Sequence, residues 1–240
     1  MRVVIVRHHQ EDSAGFIAAA FEARGAELIE HLIPQDGPLP APDGFDHIVV
    51  LGATFSVYSD GAASAWIADE LAWLRRADEA GVPVLGICFG AQALAAAFGG
   101  GVEAAPRREI GWTMIDSLDH ELVPPGPWLE FHGDRCLLPR QARLLARSDV
   151  GAQAFSLGRH LAVQFHPEVD GEQLVLWLDA GGREIVEQEG QDPDQLVAET
   201  IAQEPAARDR ADALVTSALR IAGRAGSPQR VICAATGIDG

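Results

Sequence analysis

Cations are scarce in this chain. Its 240 residues carry 18 Lys and Arg against 35 Asp and Glu, a formal net charge of −17. Nucleic acid and anionic membranes are held by clustered positive charge, so this deficit argues against both as partners, although it leaves the local field of a pocket undetermined. Cysteine is sparse as well, with only Cys88, Cys136 and Cys233. That number is too small and too odd for a disulfide framework, and it fits a reducing, cytoplasmic setting. His8-His9 and the cysteines show no zinc-binding spacing, so no metal site is expected. No apolar run approaches the length of a membrane span. The opening Met1-Arg2-Val3-Val4-Ile5-Val6-Arg7 is too short for the apolar region of a signal peptide and reads as a first strand. No P-loop and no pyrophosphatase-like signature is present.

What the chain does contain is apolar material for one sizeable α/β core, since 48% of its residues are hydrophobic. Strands are expected over 3–6, 28–33, 48–51 and 84–87. Between them, Phe16, Ile17, Ala20 and Phe21 form a helical face that stops at Gly25, and a second helix over 66–80 stops at Gly81. Pro34, Pro38, Pro40 and Pro42 mark an exposed loop, and a longer loop over 52–61 follows the third strand. A helix over 91–98 ends at Gly99, Gly100 and Gly101. This alternation predicts an α/β fold with a flavodoxin-like, open, mostly parallel sheet and helices on both faces. From 102 to 165 the pattern changes to a small strand insertion, with strands expected over 110–118, 128–132 and 152–157. Ala211, Leu214, Val215, Ala218, Leu219 and Ala222 then repeat at helical spacing and predict a helix with one buried face. The expected organisation is a domain over 1–170, a C-terminal helical appendage over 171–225 packed on it, and a tail over 226–240.

The chemistry centres on Val84-Leu85-Gly86-Ile87-Cys88-Phe89-Gly90-Ala91-Gln92. An apolar strand runs into a cysteine framed by glycine at −2 and +2, and a helix-forming run follows. This is a thiol version of the nucleophile elbow, a sharp strand-to-helix turn that lifts a side chain above the sheet edge. Glycine is needed on both sides because neighbouring backbones pass close to the turn. A nucleophile needs a base, and Leu161-Ala162-Val163-Gln164-Phe165-His166-Pro167-Glu168 supplies one. His166 falls at the carboxyl end of a buried strand, where catalytic groups gather in open α/β sheets. Glu168 can accept from one imidazole nitrogen and leave the other facing the thiol, which is the logic of a nucleophile–base–orienter triad. Cys136 lacks a glycine frame and reads as inert.

Gly86-Ile87-Cys88-Phe89-Gly90-Ala91-Gln92 together with His166-Pro167-Glu168 resembles the class I (triad) glutamine amidotransferases. Ser56-Val57-Tyr58, Glu109-Ile110-Gly111-Trp112 and His132-Gly133-Asp134 are similar to the subgroup typified by the amidotransferase half of GMP synthetase. The resemblance implies a catalytic set of Cys88, His166 and Glu168, with Gly52, Ala53 and the amide of Phe89 at the oxyanion. It implies further that Gln92, Gly133 and Asp134 bind the amino-acid end of the substrate, with His132 behind them. Two departures stand out. Gly90-Ala91-Gln92 replaces the family's usual Gly-His-Gln, and Gly52-Ala53 replaces a frequent Gly-Gly. Both bear on substrate preference more than on chemistry.

The implied function is hydrolysis of the glutamine side-chain amide through a γ-glutamyl thioester, without metal or organic cofactor, with ammonia passed to a separate synthetase or acceptor subunit. Two alternatives stand beside it. One is a free-standing hydrolase of γ-glutamyl peptides or amides, and the other is a binding or regulatory protein that keeps the fold without turnover.

Overall fold

Val3, Val4, Ile5 and Val6 are all buried. A strand hides every side chain in this way only when both sheet faces are covered. In the computed structural model, which describes residues 1–33, 35–60 and 62–225, this strand is β1 (Arg2–Arg7). Pro34, Gly61 and the expected tail with Cys233 lie outside the described residues. The remaining strands are β2 (Glu27–Leu32), β3 (His47–Val50), β4 (Val84–Ile87), β5 (Gly101–Met114), β6 (Asp116–Ser117), β7 (Pro127–Leu137), β8 (Arg143–Arg147), β9 (Ala152–Leu157) and β10 (His160–Val163). The helices are α1 (Gly15–Glu22), α2 (Ala62–Glu79), α3 (Phe89–Ala97), α4 (Gly171–Trp177), α5 (Arg183–Gln188) and α6 (Pro193–Ala225).

The main sheet has the order β2-β1-β3-β4-β10-β9-β8-β6. Strands β2, β1, β3, β4 and β10 run parallel, while β9, β8 and β6 continue the sheet antiparallel. The parallel portion is wound as a flavodoxin-like sheet. Period-two alternation sorts its side chains. Val3, Ile5, Val49, Leu51, Leu85 and Ile87 join a core under α1 and α6, where Phe16, Ile17, Phe21, Ala211, Leu214, Val215 and Ala218 meet them. Val4, Val6, Ile48, Val50 and Val84 join a second core under α2 and α3. The helical spacing of 211–218 thus supplies half of the cover on one sheet face. Pro205 interrupts the backbone hydrogen bonds of α6 ahead of that segment, while Leu196 near the start of the helix packs with α4 and α5.

The insertion differs from the sequence expectation in its strands. The strand expected over 110–118 begins at Gly101 and ends at Met114, and it pairs with β7 in a separate two-stranded ribbon. A register shift between Ala104 and Glu109 breaks its alternation, which hid its first half. The strand expected over 128–132 extends to Leu137 and includes Cys136, which therefore lies within a strand. Strand β8 was not anticipated, because Arg143 and Arg147 at its ends mask the buried Leu145 and Ala146.

Leu214→Ala should lower unfolding free energy by roughly 2–5 kcal/mol, the range for truncating a buried leucine. Chemical denaturation should still show one transition, because Leu214 packs in the same core as β1 and β3. A separate early transition confined to the C-terminal helix would contradict the shared core.

Candidate active site

Cys88 has φ 51° and ψ −105°, the one positive φ on a non-glycine residue among the described residues. The flanking glycines explain how the turn closes. A Cβ on Gly86 would overlap the Gly90 carbonyl, and one on Gly90 would overlap the Val50 carbonyl of β3. The Cys88 N–H donates to Val163 O of β10 at 2.8 Å, and its carbonyl accepts from Ala91 N at 3.0 Å and Gln92 N at 3.1 Å. The thiol is thereby fixed at the N-terminus of α3, where free amides and the helix dipole favour negative charge. Phe89 buries its ring in the α2/α3 core, so its backbone amide is the part of it available beside the thiol.

Strand β10 ends at Val163, but the chain stays extended. Gln164 N donates to Gln153 O and His166 N to Leu129 O, both at 2.8 Å. This carries His166 past the sheet edge to the thiol. A Cβ on Gly52 would lie 3.1 Å from His166 Cε1 and 3.7 Å from Cys88 Cβ, so Gly52 leaves room for both. His166 Nδ1–H donates to Glu168 Oε1 at 2.7 Å. Both side chains are buried, and Glu168 Oε2 has no hydrogen-bond partner among the described residues. Burial opposes charge on the imidazole, yet Glu168 and then the Cys88 sulfur outweigh it, and the pKa of His166 is raised well above the ordinary value. Glu168 is itself anchored: its carbonyl accepts from Phe16 N at 3.0 Å, at the start of α1. That approach requires glycine at position 15, where any Cβ would strike the Glu168 carbonyl.

Gly52 and Ala53 both line a cavity with Cys88. The Gly52 carbonyl is held 2.8 Å from His8 Nδ1, and His8 Nε2 lies 3.2 Å from the fully buried Glu70. A carbonyl can only accept, so Nδ1 carries a proton. Burial opposes a second proton on His8, but Glu70 and the Gly52 carbonyl prevail and its pKa is raised. In a trans peptide the following N–H points opposite to the carbonyl. Anchoring Gly52 O on His8 therefore turns the Ala53 N–H the other way, as an oxyanion donor requires. His8 and Glu70 escape sequence reasoning because they lie 62 residues apart and carry no motif.

Gln92, Gly133 and Asp134 are brought to Cys88 in one cavity of about 570 Å³. The Gln92 amide donates to Gln164 Oε1 at 3.3 Å, and Gln164 Nε2 donates to Cys88 Sγ at 3.6 Å. Gln164 thus ties the first helical turn to the thiol. The Asp134 carboxylate accepts from Ser56 Oγ at 2.5 Å and Tyr58 OH at 2.7 Å, which pins the loop after Ala53 to β7. His132 donates from Nδ1 to Asp134 O at 2.9 Å, and its Nε2 lies 3.2 Å from Glu109 and 3.1 Å from Glu130. Among the described residues these three are the cluster whose donor atoms converge closely enough for a cation. Burial opposes a proton on His132, but Glu109 and Glu130 favour one and push its pKa up to about 10. Trp112 donates from Nε1 to Thr200 of α6 at 2.9 Å. Burial pushes the Cys136 thiol far up, in keeping with an inert cysteine.

The shift on His132 has a consequence for stability. A histidine raised from 6.5 to about 10 stabilises the fold fully below the unfolded value and loses that contribution as pH rises toward the folded one. Its slope reaches about 1.4 kcal/mol per pH unit. His8 and His166 are shifted in the same direction. Urea midpoints should therefore fall between about pH 7 and about pH 9, and His132→Gln should flatten that fall by one proton's share; equal slopes in the two proteins would refute the assignment.

Residues 16–174 match the family described as Glutamine amidotransferase class-I. The chain is 34% identical over 181 residues to a GMP synthase (glutamine-hydrolyzing) of Thermomicrobium roseum, covering 69% of this chain and 31% of that protein. It is 32% identical over 193 residues to the protein of the same name from Aeropyrum pernix, covering 73% and 36% respectively. The chain thus spans about a third of the length of these relatives. A glutamine amidotransferase of Thermotoga maritima shares the fold with a TM-score of 0.82 at 24% identity, over 92% of this chain and 98% of that one. A second, from Methylobacillus flagellatus, gives 0.82 at 22% identity over 92% and 94%. The family match covers well over half of the chain and encloses the Cys88, His166 and Glu168 segments: the protein belongs to the class I glutamine amidotransferases.

Proposed function

We propose that this protein hydrolyses the side-chain amide of glutamine and supplies the ammonia to a separate acceptor enzyme of the synthetase type. The observation that carries the reading is the meeting of Cys88, at a positive φ on a helix N-terminus, with a buried His166 held at 2.7 Å by Glu168. The relatives' names add support, since they are glutamine-hydrolysing GMP synthases. The acceptor step of the synthetase type is proposed on those names, of which this chain spans about a third.

In this reading Cys88 Sγ attacks the amide carbon. The C–S bond forms, and the carbonyl oxygen takes up charge against the amides of Ala53 and Phe89. His166 gives its proton to the nitrogen as the C–N bond breaks, and ammonia leaves. His166 then takes a proton from water, whose oxygen attacks the thioester; the C–S bond breaks, and glutamate departs with the thiolate restored. Glu168 keeps Nδ1 protonated so that Nε2 does the exchange. Gln92, Gly133 and Asp134 hold the amino-acid end of the substrate in the larger cavity.

The isolated chain, supplied with glutamine, should release ammonia and glutamate in equal amounts. Cys88→Ala should lower kcat by at least about a thousandfold, and full activity in that variant would falsify the mechanism. His8→Ala should lower kcat by roughly ten- to a hundredfold with KM nearly unchanged, because it frees the oxyanion peptide without touching substrate. A change confined to KM would show that His8 acts elsewhere.

A further inference from the structure

Two cavities meet at Cys88, and they are not alike. The larger holds Gln92, Gly133 and Asp134, and Arg107 and Arg108 line its wall. The smaller, of about 340 Å³, contains His166, Asp12, Trp177, Ala180 and Gly182 and has no arginine in its lining. Only the smaller one is lined by His166. The group that protonates the leaving nitrogen therefore faces the smaller cavity, and the leaving group must depart into it. Ammonia displaces about as much volume as one water, roughly 30 Å³. The cavity is many times larger than ammonia needs.

We propose that this second cavity binds the leaving group, and that the substrates of the centre include γ-glutamyl amides of organic amines whose far end is uncharged or cationic. This rests on the hydrolytic reading above and names the substrate class of the same site. Its walls carry the argument. Asp12 is buried, yet its carboxylate takes only neutral donors, Trp177 Nε1–H at 3.3 Å and the His9 N–H at 3.2 Å. No Arg lies within ion-pair distance of it among the described residues. Trp177 stands with its ring 4.8 Å from that of His166, edge to face, and Phe131 lies 5.8 Å from Trp177. Arg7 Nη1 donates to the Asp12 backbone carbonyl at 2.7 Å, but among the described residues no cation pairs with the carboxylate itself. Aromatic faces beside such a carboxylate suit an ammonium on an apolar stem. They disfavour a carboxylate, so γ-glutamyl α-amino acids fit poorly.

The backbone shapes this wall. Between α4 and α5 the chain widens into a π-type turn over Leu178–Gly182, with Gly181 at φ 113°. A Cβ on Gly182 would lie 2.7 Å from the Trp177 carbonyl and 3.3 Å from Phe131 Cζ. Wide turns of this kind recur where a helix borders a site. The reaction balances without a co-reactant: the γ-glutamyl C–N bond breaks, the amine leaves with the His166 proton, and water completes hydrolysis to glutamate.

The test is glutamate release by the whole chain from four probes: glutamine, γ-glutamyl butylamide, mono-γ-glutamyl butanediamine and γ-glutamylglycine. The two amine derivatives should be hydrolysed, the diamine derivative with kcat/KM at least about tenfold above γ-glutamylglycine, as expected for one charge contact in a shielded site. Ala180→Phe, at an exposed backbone position on the cavity wall, should lower the ratio of diamine-derivative to glutamine turnover by about fivefold or more. Asp12→Asn should lower the ratio of diamine derivative to butylamide. Hydrolysis of glutamine alone would make the cavity a mere exit for ammonia and overturn the proposal, while the glutaminase reading stood. γ-Glutamylglycine as the best substrate would overturn it too. Failure of all four would remove the hydrolytic reading and this inference with it.

Discussion

The centre depends on one residue held in a left-handed backbone conformation. Cys88 at φ 51° carries strain of order 1–3 kcal/mol, and the conformation persists because its surroundings allow no other. Its N–H is bonded to β10, its carbonyl caps α3, and Gly90 brings that helix against the Val50 carbonyl of β3. One turn therefore fixes three parallel strands and a helix relative to the thiol. Relaxing φ would break the bond to Val163 and move the helix off β3. The same contacts that define the centre of the sheet hold the nucleophile up, so fold and site share one constraint.

A second pattern concerns charge. The chain has few cations, yet its centre is ringed by three histidines whose pKa values are all raised: His8, His132 and His166. Each lies against a buried glutamate. His8 and His132 each use Nδ1 to hold a backbone carbonyl, of Gly52 and of Asp134, on two sides of the thiol. The buried carboxylates thus favour protonation of these imidazoles, and His8 and His132 position peptides through their Nδ1 hydrogen bonds. A net charge of −17 describes the surface poorly as a guide to this interior, because that count takes histidine as neutral. The arrangement also links loops: Asp134, fixed by His132, clamps Ser56 and Tyr58 in the segment that follows the oxyanion peptide.

What could be read in the sequence were the features whose cause is local. Glycines at 86 and 90 are demanded by a turn within five residues, and the His166-x-Glu168 contact spans two positions, so both were legible. The unbroken apolar run Val3–Val6 and the helical spacing of 211–222 likewise report burial directly. The features that could not be read are those that tertiary packing creates. Glycine at position 15 matters only because Glu168 arrives beside it. His8, Glu70 and Trp177 have no local signature, and β5 hides behind a register shift. Helix α6 shows its apolar face plainly, but nothing in its order along the chain says that it covers the same sheet face as α1.

The division of the site into two cavities separates two problems that the chemistry joins. In the proposed reaction the acyl group is held by β7, the loop after β3 and the start of α3, and the departing nitrogen faces His166, Asp12 and the turn between α4 and α5. Cys88 belongs to both. Part of the wall on the nitrogen side, from Trp177 to Ile185, comes from the segment beyond Glu168, which packs through Val169, Leu174, Leu178 and Val186 as a small core with Ile110 and Leu129. Changes at Ala180 or Gly181 would reshape this wall while leaving the Cys88 turn, which is anchored in the sheet, in place. On the proposed reading, a thiol turn fixed in the sheet beside a wall built partly from a later segment would be a physical route by which one hydrolytic centre serves different nitrogen-bearing leaving groups.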